Sequence, residues 1–373
     1  MDPTRSQSDD TVSAKGSPGG RGPLARGTAV WRYLLLDPIG QGGMGVVYKA
    51  YDPDLDRTIA LKLMRAGDID AGQLRERLLR EAQALARLQH PNVVAVHDVG
   101  TFHGDVFIAM ELVAGPTLRA WLKAQPRRPR EVLDVFLEAG KGLAAAHRAG
   151  LVHRDFKPDN VILGDDGRVR VVDFGLARTA IHDTVSDGAT PAPASELEVT
   201  SVGRAASPLP RPAPPSAPAP AAPASAVGAT PSLPSGTNLL ASPLTHAGAV
   251  VGTPRFMAPE QHLGAGADER ADQFSFCVSL YHALYGAFPF EGDTTEQMID
   301  RVLAGRVSEP PPGSKVPRWL RQVLLKGLAR EADQRYPSVE ALLAALAADP
   351  SVVRRRRLGI AAALLAVAAV GAT

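Results

Sequence analysis

The hydrophobic pattern of this 373-residue chain changes once, near residues 111–115, and this change constrains the fold more than any other feature. Before it, short apolar runs such as "GVVYKAYD" and "TIALKLM" are separated by turn residues and are typical of β-strands. After it, longer stretches repeat apolar residues at helical spacing, as in "REVLDVFLEAGKGLAAAHRAG". A block of strands followed by a block of helices favours two lobes over one alternating sheet. The expected fold class is α+β, with a small β-rich N-terminal lobe and a larger, mainly helical C-terminal lobe.

One amphipathic helix interrupts the strands of the first lobe. The stretch "AGQLRERLLREAQALARL" repeats leucines at helical spacing, among them Leu74, Leu78 and Leu85. Two further strand-like runs, "VVAVHDVG" and "DVFIAMEL", follow it. The N-terminal lobe is therefore predicted to contain one helix that packs on its sheet.

Composition sets the domain boundaries. Residues 1–28 are rich in Gly, Ser, Pro and charge, and lack periodicity, which predicts a disordered arm. The N-terminal lobe is expected at 29–113 and the C-terminal lobe at 114–345. Within the latter, the Pro/Ala/Ser-rich stretch 179–247 cannot bury enough apolar surface to offset its ordering entropy. It is predicted to be a disordered insertion.

The last part of the chain combines a basic segment with an apolar run. Residues 346–357 end in four arginines, Arg354 to Arg357, and 358–373 carry no charge. In a helix, the run would reach about 24 Å, short of the roughly 30 Å hydrocarbon core. An Ala-rich helix packed on the domain is one interpretation. We favour a partial membrane span, because an arginine flank is typical of the cytoplasmic side. This predicts a cytoplasmic domain anchored to the cell (inner) membrane by a single-pass C-terminal segment.

The overall composition excludes several classes of protein. Basic and acidic residues nearly balance, 41 against 39, so a nucleic-acid partner is not indicated. The single cysteine, Cys277, excludes an internal disulfide framework and fits a reducing compartment. The polar start "MDPTRSQSDD" lacks the apolar region of a secretory signal.

A glycine-rich segment, "IGQGGMGVVYKA", is the first candidate site. Gly40, Gly42 and Gly45 are spaced as G-x-G-x-x-G, but the residues that follow are strand-like, whereas a dinucleotide fingerprint would open a helix. Without a Cβ atom, glycine lets backbone N–H groups come close to phosphates. An ordinary glycine turn is the alternative for this motif alone.

A buried lysine is the second candidate. Lys62 ends "TIALK" at an inward strand position, where an ammonium is unfavourable unless it is paired. Glu81, on the apolar side of the following helix, is the expected partner. A lysine that extends its ammonium to solvent at the strand end is the alternative.

Two polar turns complete the candidate site. In "LVHRDFKPDNVIL", Asp155 could accept a hydroxyl proton, and Lys157 could offset the charge of a transferring phosphoryl group. Asn160 offers an amide oxygen to a hard cation such as Mg²⁺. Asp173 ends the apolar strand of "VRVVDFGLA", where its carboxylate could hold the same ion. A strand-end turn without chemistry is the alternative for Asp173.

The order of the motifs is more specific than any one of them. Glycine loop, strand lysine, helix glutamate, "HRDFKPDN", "DFG" and "APE" follow one another along the chain. In this order the sequence resembles the eukaryotic-like serine/threonine protein kinases of bacteria, from residue 31 to about 345. The resemblance implies transfer of the ATP γ-phosphate to Ser/Thr hydroxyls of proteins, autophosphorylation and transmembrane signalling. The implied cofactors are ATP and Mg²⁺, with Mn²⁺ as an alternative, and a homodimer through the N-terminal lobe is an option.

The resemblance also implies a role for each motif residue. At the reaction centre these are the base Asp155, the phosphate-contacting Lys157, the α,β-phosphate lysine Lys62 with its partner Glu81, and the metal ligands Asn160 and Asp173. Around the nucleotide they are Ile39, Gly40, Gln41, Gly42, Gly43, Met44, Gly45, Val47, Ala60, Met110, Glu111 and Val113. With structural or regulatory roles they are the pair Glu260 and Arg335, the loop anchor Asp272, the phosphate-holding Arg154, and Thr253, which bridges the base and Lys157.

Regulation is expected to involve Thr245, which we predict to be autophosphorylated. An unmodified linker threonine is the alternative. The separation of Asp173 from Glu260 is long for this family, which we attribute to a tolerated loop expansion. Phe156 replaces a more usual leucine, and Cys277 is expected to be a buried structural thiol.

A pseudokinase and a Rossmann oxidoreductase are the two alternatives to an active kinase. A pseudokinase, a nucleotide-binding module without turnover, usually lacks one of the key residues, whereas Lys62, Asp155 and Asp173 are all present. A Rossmann oxidoreductase is excluded because no βαβ unit surrounds the glycines.

Overall fold

Six antiparallel strands form the sheet of the N-terminal lobe, in the order β1-β2-β3-β4-β6-β5. The strands are β1 (Ala29–Val30), β2 (Tyr33–Gly42), β3 (Gly45–Asp52), β4 (Arg57–Met64), β5 (Val96–Phe102) and β6 (Asp105–Glu111). The predicted strands are confirmed, and the two-residue β1 is an addition that no alternation could have indicated. One face of the sheet is closed by its own small core, which includes Tyr33, Leu35, Tyr48 and Leu61.

The structure is a computed structural model that describes residues 23–42, 45–64, 71–174 and 254–349. Some predictions lie outside these residues: most of the N-terminal arm, Gly43 and Met44, the insertion 179–247, Thr245 and Thr253, and the apolar segment 358–373.

The other face of the sheet turns towards the helical lobe. Lys62 pairs in register with Val47 on β3 and Ile108 on β6, and Ala60 pairs with Met110. Directly opposed residues of antiparallel strands share a face, so these five side chains lie together. Ala60, Ile108 and Met110 belong to the large core that continues into the C-terminal lobe. The strand register therefore places Lys62 at the boundary between the lobes.

Six of the eight helices among the described residues correspond to predicted helical stretches. The eight are α1 (Ala71–Arg87) in the N-terminal lobe, then α2 (Leu118–Ala124), α3 (Pro129–Arg148), α4 (Pro259–His262), α5 (Glu269–Tyr285), α6 (Thr295–Leu303), α7 (Arg318–Gly327) and α8 (Val339–Ala347), of which α2 and α4 are additions. Helix α5 is the centre of the lobe, and its side chains from Ala271 to Tyr281 are buried. Asp268 caps its first turn by accepting from two backbone N–H groups, and Gly286 ends it with φ 71°.

A two-stranded hairpin lies within the helical lobe. Strands β7 (Val161–Leu163) and β8 (Val169–Val171) pair antiparallel, with Val161 opposite Val171. The backbone N–H of Val172 donates to the carbonyl of Asn160 at 2.9 Å. The hairpin therefore brings the end of one polar turn next to the start of the other.

The two-lobed α+β fold is confirmed for the described residues. Cys277 is buried, as predicted, and burial raises the pKa of its thiol to about 12. Within the described parts of the chain, none of the helices combines the length and apolar character that a membrane span requires.

Candidate active site

The polar turn between α3 and β7 gathers three of the predicted residues around one carboxylate. Lys157 Nζ lies 2.7 Å from Asp155 Oδ2. The Asn160 amide donates to the Asp155 carbonyl at 2.9 Å and to Oδ2 at 3.3 Å. Pro158 starts a short 3₁₀ turn that ends at Asn160 and folds the segment back on itself. Asp155 and Lys157 are each 18% exposed, so the group opens to solvent on one side.

Asp272 of α5 holds this turn from below, as the resemblance implies. Its buried carboxylate accepts the backbone N–H groups of His153 and Arg154, both at 2.6 Å. Its Oδ2 atom also lies 2.8 Å from His147 Nε2. Arg154 has φ 63°, a conformation that side chains rarely adopt, and the bond from its own N–H helps to maintain it.

His153 is buried behind the turn in its neutral form. Its Nδ1 accepts the backbone N–H of Asp155 at 3.3 Å, and its Nε2 donates to the carbonyl of Val172 at 3.1 Å. Both bonds are made by one neutral tautomer. Burial lowers the pKa of the imidazole, outweighing the nearby Asp272 and Asp155 carboxylates, which act to raise it.

The structure differs from the predicted Lys62–Glu81 pair. Lys62 Nζ lies 2.8 Å from Asp173 Oδ1, and Glu81 Oε1 lies 3.3 Å from Arg154 Nη1. The Lys62 side chain is 12% exposed and requires a carboxylate partner. Asp173, two residues after the end of β8 in the C-terminal lobe, supplies this carboxylate. The residue spacing predicted correctly that Lys62 is paired, but the carboxylate that reaches it lies 111 residues away in sequence and could not be identified.

A small cavity lies beside this exchanged pair. It has a volume of about 70 Å³ and is lined by Glu81, Leu85, Arg154 and Phe174, together with the chain from Gly150 to Val152. The cavity lies between α1 and the segment that leads to the polar turn. At this level α1 contacts the C-terminal lobe through the Glu81–Arg154 ion pair.

Asn160 and Asp173 have the chemistry of magnesium ligands. Among the described residues, the hydrogen bonds of the Asn160 amide use its nitrogen, which leaves its oxygen for a cation. Burial acts to raise the pKa of Asp173, but the Lys62 ammonium outweighs it and the pKa lies below its ordinary range. An ionised carboxylate and an amide oxygen suit Mg²⁺. The two residues fit the ion that the resemblance implies.

The predicted nucleotide residues line the boundary face of the sheet. Val47, Ala60 and Met110 share that face through the strand register, and Glu111 ends β6 where the chain leaves the sheet. The glycine segment forms the β2–β3 hairpin, with Gly40 opposite Val47 and Gln41 opposite Val46. The described Ile39 is 52% exposed. The hairpin therefore joins the strand that carries Val47.

Gly45 is required by its surroundings. It has φ 146°, and a Cβ atom there would lie 2.1 Å from the carbonyl oxygen of Leu63 on β4. The backbone of β3 can approach β4 this closely only with glycine at this position.

Arg335 forms a two-bond ion pair with Glu260, at 2.7 and 2.8 Å. The Arg335 side chain is fully buried and also donates to the carbonyl groups of Ala329, Arg270 and Arg330. The pair joins α4 to α5 and to the chain before α8.

Sequence reasoning missed two buried charged or titratable residues near the site. His147, on α3, contacts Asp272, and Arg170, on β8, contacts Glu111 at 2.9 Å. Each lies in or at the end of an apolar run, within two residues of another basic residue, so its sequence context gave little signal. Their partners are distant in sequence and could not be named.

Comparison with known proteins identifies the family and its fold. The family model of the "Protein kinase domain" matches residues 33–196. Serine/threonine-protein kinase PknL of Mycobacterium bovis is 32% identical over 335 residues, 88% of this chain and 68% of PknL. Serine/threonine-protein kinase PrkC of Bacillus subtilis is 28% identical over 83% of this chain and 39% of PrkC. The crystal structure of the Mycobacterium tuberculosis PknI kinase domain matches with a TM-score of 0.55 at 25% identity, over 87% of this chain and 98% of that one.

A β-sheet lobe followed by a mainly helical lobe is the fold of a protein kinase domain. The chain belongs to the protein kinase family, and the relatives named above are serine/threonine kinases of bacteria. It spans 39% of the length of PrkC and 68% of PknL.

Proposed function

We propose that this chain is an active serine/threonine protein kinase that transfers the γ-phosphate of ATP to protein hydroxyls. The observation that carries the proposal is the hydrogen-bonded group of Asp155, Lys157 and Asn160, which the β7–β8 hairpin brings next to Asp173 and, through it, to Lys62. A base, two phosphate-binding cations and two metal ligands thereby lie at one lobe boundary.

Asp155 acts as the general base. Its carboxylate takes the proton of the Ser/Thr hydroxyl as the oxygen bonds to the γ-phosphorus and the bond from that phosphorus to ADP breaks. Lys157, in contact with Asp155, offsets charge on the transferring group, and Lys62 binds the α- and β-phosphates. When bound at Asn160 and Asp173, Mg²⁺ would neutralise charge on the phosphates.

A phosphate-transfer assay tests the proposal directly. Purified protein is incubated with radiolabelled ATP, Mg²⁺ or Mn²⁺, and a generic basic protein, and phosphoamino acids are identified after hydrolysis. We expect phosphoserine and phosphothreonine, and transfer at least about 100-fold slower by an Asp155→Asn variant. Nucleotide binding without transfer to any protein, including itself, would instead establish a pseudokinase.

Regulation is proposed to act through Arg154. In the structure, Arg154 contacts Glu81, whereas a phosphate on the activation segment would attract the same guanidinium through charge-assisted hydrogen bonds. Autophosphorylated Thr245 is the proposed source of this phosphate, and Thr253 is proposed to bridge Asp155 and Lys157. Phosphopeptide mapping of active protein against the Asp155→Asn variant tests this. An unmodified Thr245 in fully active enzyme would exclude the proposed site.

Attachment to the inner membrane is proposed for the C-terminal segment, with the kinase domain in the cytoplasm. The support is the uncharged run 358–373 behind the arginines Arg354 to Arg357. Membrane fractionation of the chain with and without 358–373 tests this. Equal solubility of the two forms would exclude an anchor.

Self-association through the N-terminal lobe is also proposed. Trp31 and Leu55 are 60% and 57% exposed, so two large apolar side chains are available for contact with a second copy. Arg32 lies 3.3 Å from Asp52 and 3.6 Å from Asp54, so the two turns that carry them are neighbours. We expect a dimer in sedimentation analysis that Leu55→Glu converts to a monomer. An unchanged mass for the variant would locate any dimer elsewhere.

A further inference from the structure

Arg170 is a buried cation that the proposed chemistry does not use. It occupies the centre of β8, opposite Ile162, and precedes the metal ligand Asp173 by three residues. Its side chain is 8% exposed. A guanidinium at this depth requires anionic partners.

Two carboxylates meet this guanidinium. Asp166, in the turn of the hairpin, accepts two bonds at 3.0 and 2.7 Å, and Glu111 lies 2.9 Å from Nη2. The bonds from Arg170 hold the pKa of Asp166 well below its ordinary range. The planar fork of an arginine can satisfy both carboxylates in a fixed direction. Arg170 therefore joins the β7–β8 hairpin to Glu111, the residue at which the chain leaves the N-terminal sheet.

The connection between the lobes is held at its other end by backbone bonds. The N–H groups of Leu163 and Asp165 donate to the carbonyls of Pro116 and Ala114, at 2.9 and 2.8 Å. Gly115 makes this approach possible, because a Cβ atom there would lie 2.1 Å from the carbonyl oxygen of Leu163.

The cluster around Arg170 is packed just as closely. A Cβ atom on Gly164 would lie 2.5 Å from Asp166 Oδ1 and 2.9 Å from Arg170 Nη1. The β7–β8 hairpin therefore contacts the connection between the lobes at two places. One contact is made by backbone hydrogen bonds to Ala114 and Pro116, and the other by Arg170 to Glu111.

We propose that Arg170 is a positioning residue for ATP. It holds the backbone from Glu111 to Val113, where the adenine ring is expected, at a set distance from Asp173, which is expected to hold the metal on the phosphates. The distance between the adenine-binding backbone and the phosphate-binding site is thereby fixed to the length of the nucleotide. The inference rests on the proposed function, because it takes ATP as the substrate.

Replacing Arg170 by methionine keeps an unbranched side chain and removes the charge. We expect ADP to bind about tenfold more weakly, equivalent to about 1.4 kcal/mol, and KM for ATP to rise by a similar factor. Adenine contacts are made equally before and during transfer, so kcat should change less than about threefold. A purely structural role would reduce the active fraction, which lowers kcat and leaves KM unchanged.

Matched variants isolate the contact. Arg168→Met removes a 64% exposed arginine from the same hairpin and should leave ADP affinity unchanged. Arg170→Lys keeps a charge and should recover at least half of the lost binding energy. Glu111→Gln keeps the backbone and should weaken ADP binding alone, and Arg170→Met should add little in that background.

ADP titration by calorimetry separates this inference from the proposed function, since it needs no turnover. If the unaltered protein binds no ADP, the proposed function fails. If it binds ADP and either Arg170→Met or Glu111→Gln binds equally well, the positioning role is wrong. Additive effects of the two substitutions would also overturn it. Glu111→Gln alone decides the question if Arg170→Met does not fold.

Discussion

Lys62 carries a positive charge on a side chain with little access to solvent. Its partner is the carboxylate that lies within hydrogen-bonding distance of its ammonium. Asp173 lies 2.8 Å from its ammonium, while Glu81 contacts Arg154. An ammonium has three donors and can take more than one acceptor. Because each of the four groups has a partner of opposite charge, this arrangement is stable without the pair that the sequence predicted.

Substitution of Asp155 is expected to slow phosphate transfer without weakening ATP binding. Asp155→Asn should lower kcat about 10²- to 10⁴-fold, the range for a positioned general base, and leave KM for ATP nearly unchanged. Steady-state kinetics with saturating peptide measures both. Asp159→Asn, in the same turn, is the matched control, because its carboxylate pairs with Arg119 at 2.6 and 2.7 Å. Equal losses in the two variants would contradict a special role for Asp155.

His153 should make stability depend on pH. Its folded pKa is lowered below the ordinary 6.5, so between these values the unfolded chain binds a proton that the folded one does not. Stability should therefore fall as pH drops below about 6.5, by up to about 1.4 kcal/mol per pH unit for this group. Urea unfolding at pH 7.5, 6.5 and 5.5 measures the slope. His153→Gln should reduce the slope; an unchanged slope would assign it to other histidines.

Secondary-structure elements place the site residues through register and connection. The β7–β8 hairpin sets Asn160 beside the chain that leads to Asp173, and α5 supplies Asp272 beneath the turn. Neither the hairpin nor α5 needs an unusual residue to place these side chains. Each needs only a fixed position relative to the polar turn.

The Glu260–Arg335 pair should be a strong link between elements. Arg335 is fully buried, so Glu260→Ala leaves an uncompensated charge and should lower the free energy of unfolding by about 3 kcal/mol. Glu340→Ala is the control: its partner Arg148 is 61% exposed, and an exposed pair contributes about 0–1 kcal/mol. Urea unfolding followed by tryptophan fluorescence compares them. Similar losses would show that burial does not strengthen the first pair.

At the scale of the whole molecule, the two lobes meet over a continuous apolar core that runs from Met64 and Ile108 to the helices of the C-terminal lobe. The site lies along this boundary, and its residues come from both lobes. Segments far apart in sequence therefore contribute to one candidate site.

The long segment before Glu260 is predicted to be dispensable for folding and transfer. Deleting residues 186–235 should change the free energy of unfolding by less than about 1 kcal/mol, since halving a loop changes closure entropy by about 0.6 kcal/mol. Transfer to a generic substrate should persist. A Gly/Ser replacement of equal length separates the effect of sequence from that of length. A loss above about 2 kcal/mol on deletion would indicate that the segment packs on the lobes.

Much of the fold could be predicted because it follows local patterns. Helical spacing predicted α1, α3 and α5, and strand-like runs predicted β3 and β4, each within a few residues. Helix α2 was missed because seven residues capped by Thr117 carry little periodic signal. The site residues were predicted by motif, whereas His147 and Arg170 depend on partners that no spacing reveals.

By itself, the sequence determined which chemical groups are available and in what order, because residue types and periodicities are local properties of the chain. Tertiary structure alone decided the partners: Asp173 for Lys62, Arg154 for Glu81, and Glu111 for Arg170. Such partners depend on the distances between α1, the β7–β8 hairpin and the connection between the lobes. These distances result from packing of the whole core, where each buried charge takes the opposite charge that the fold brings within reach.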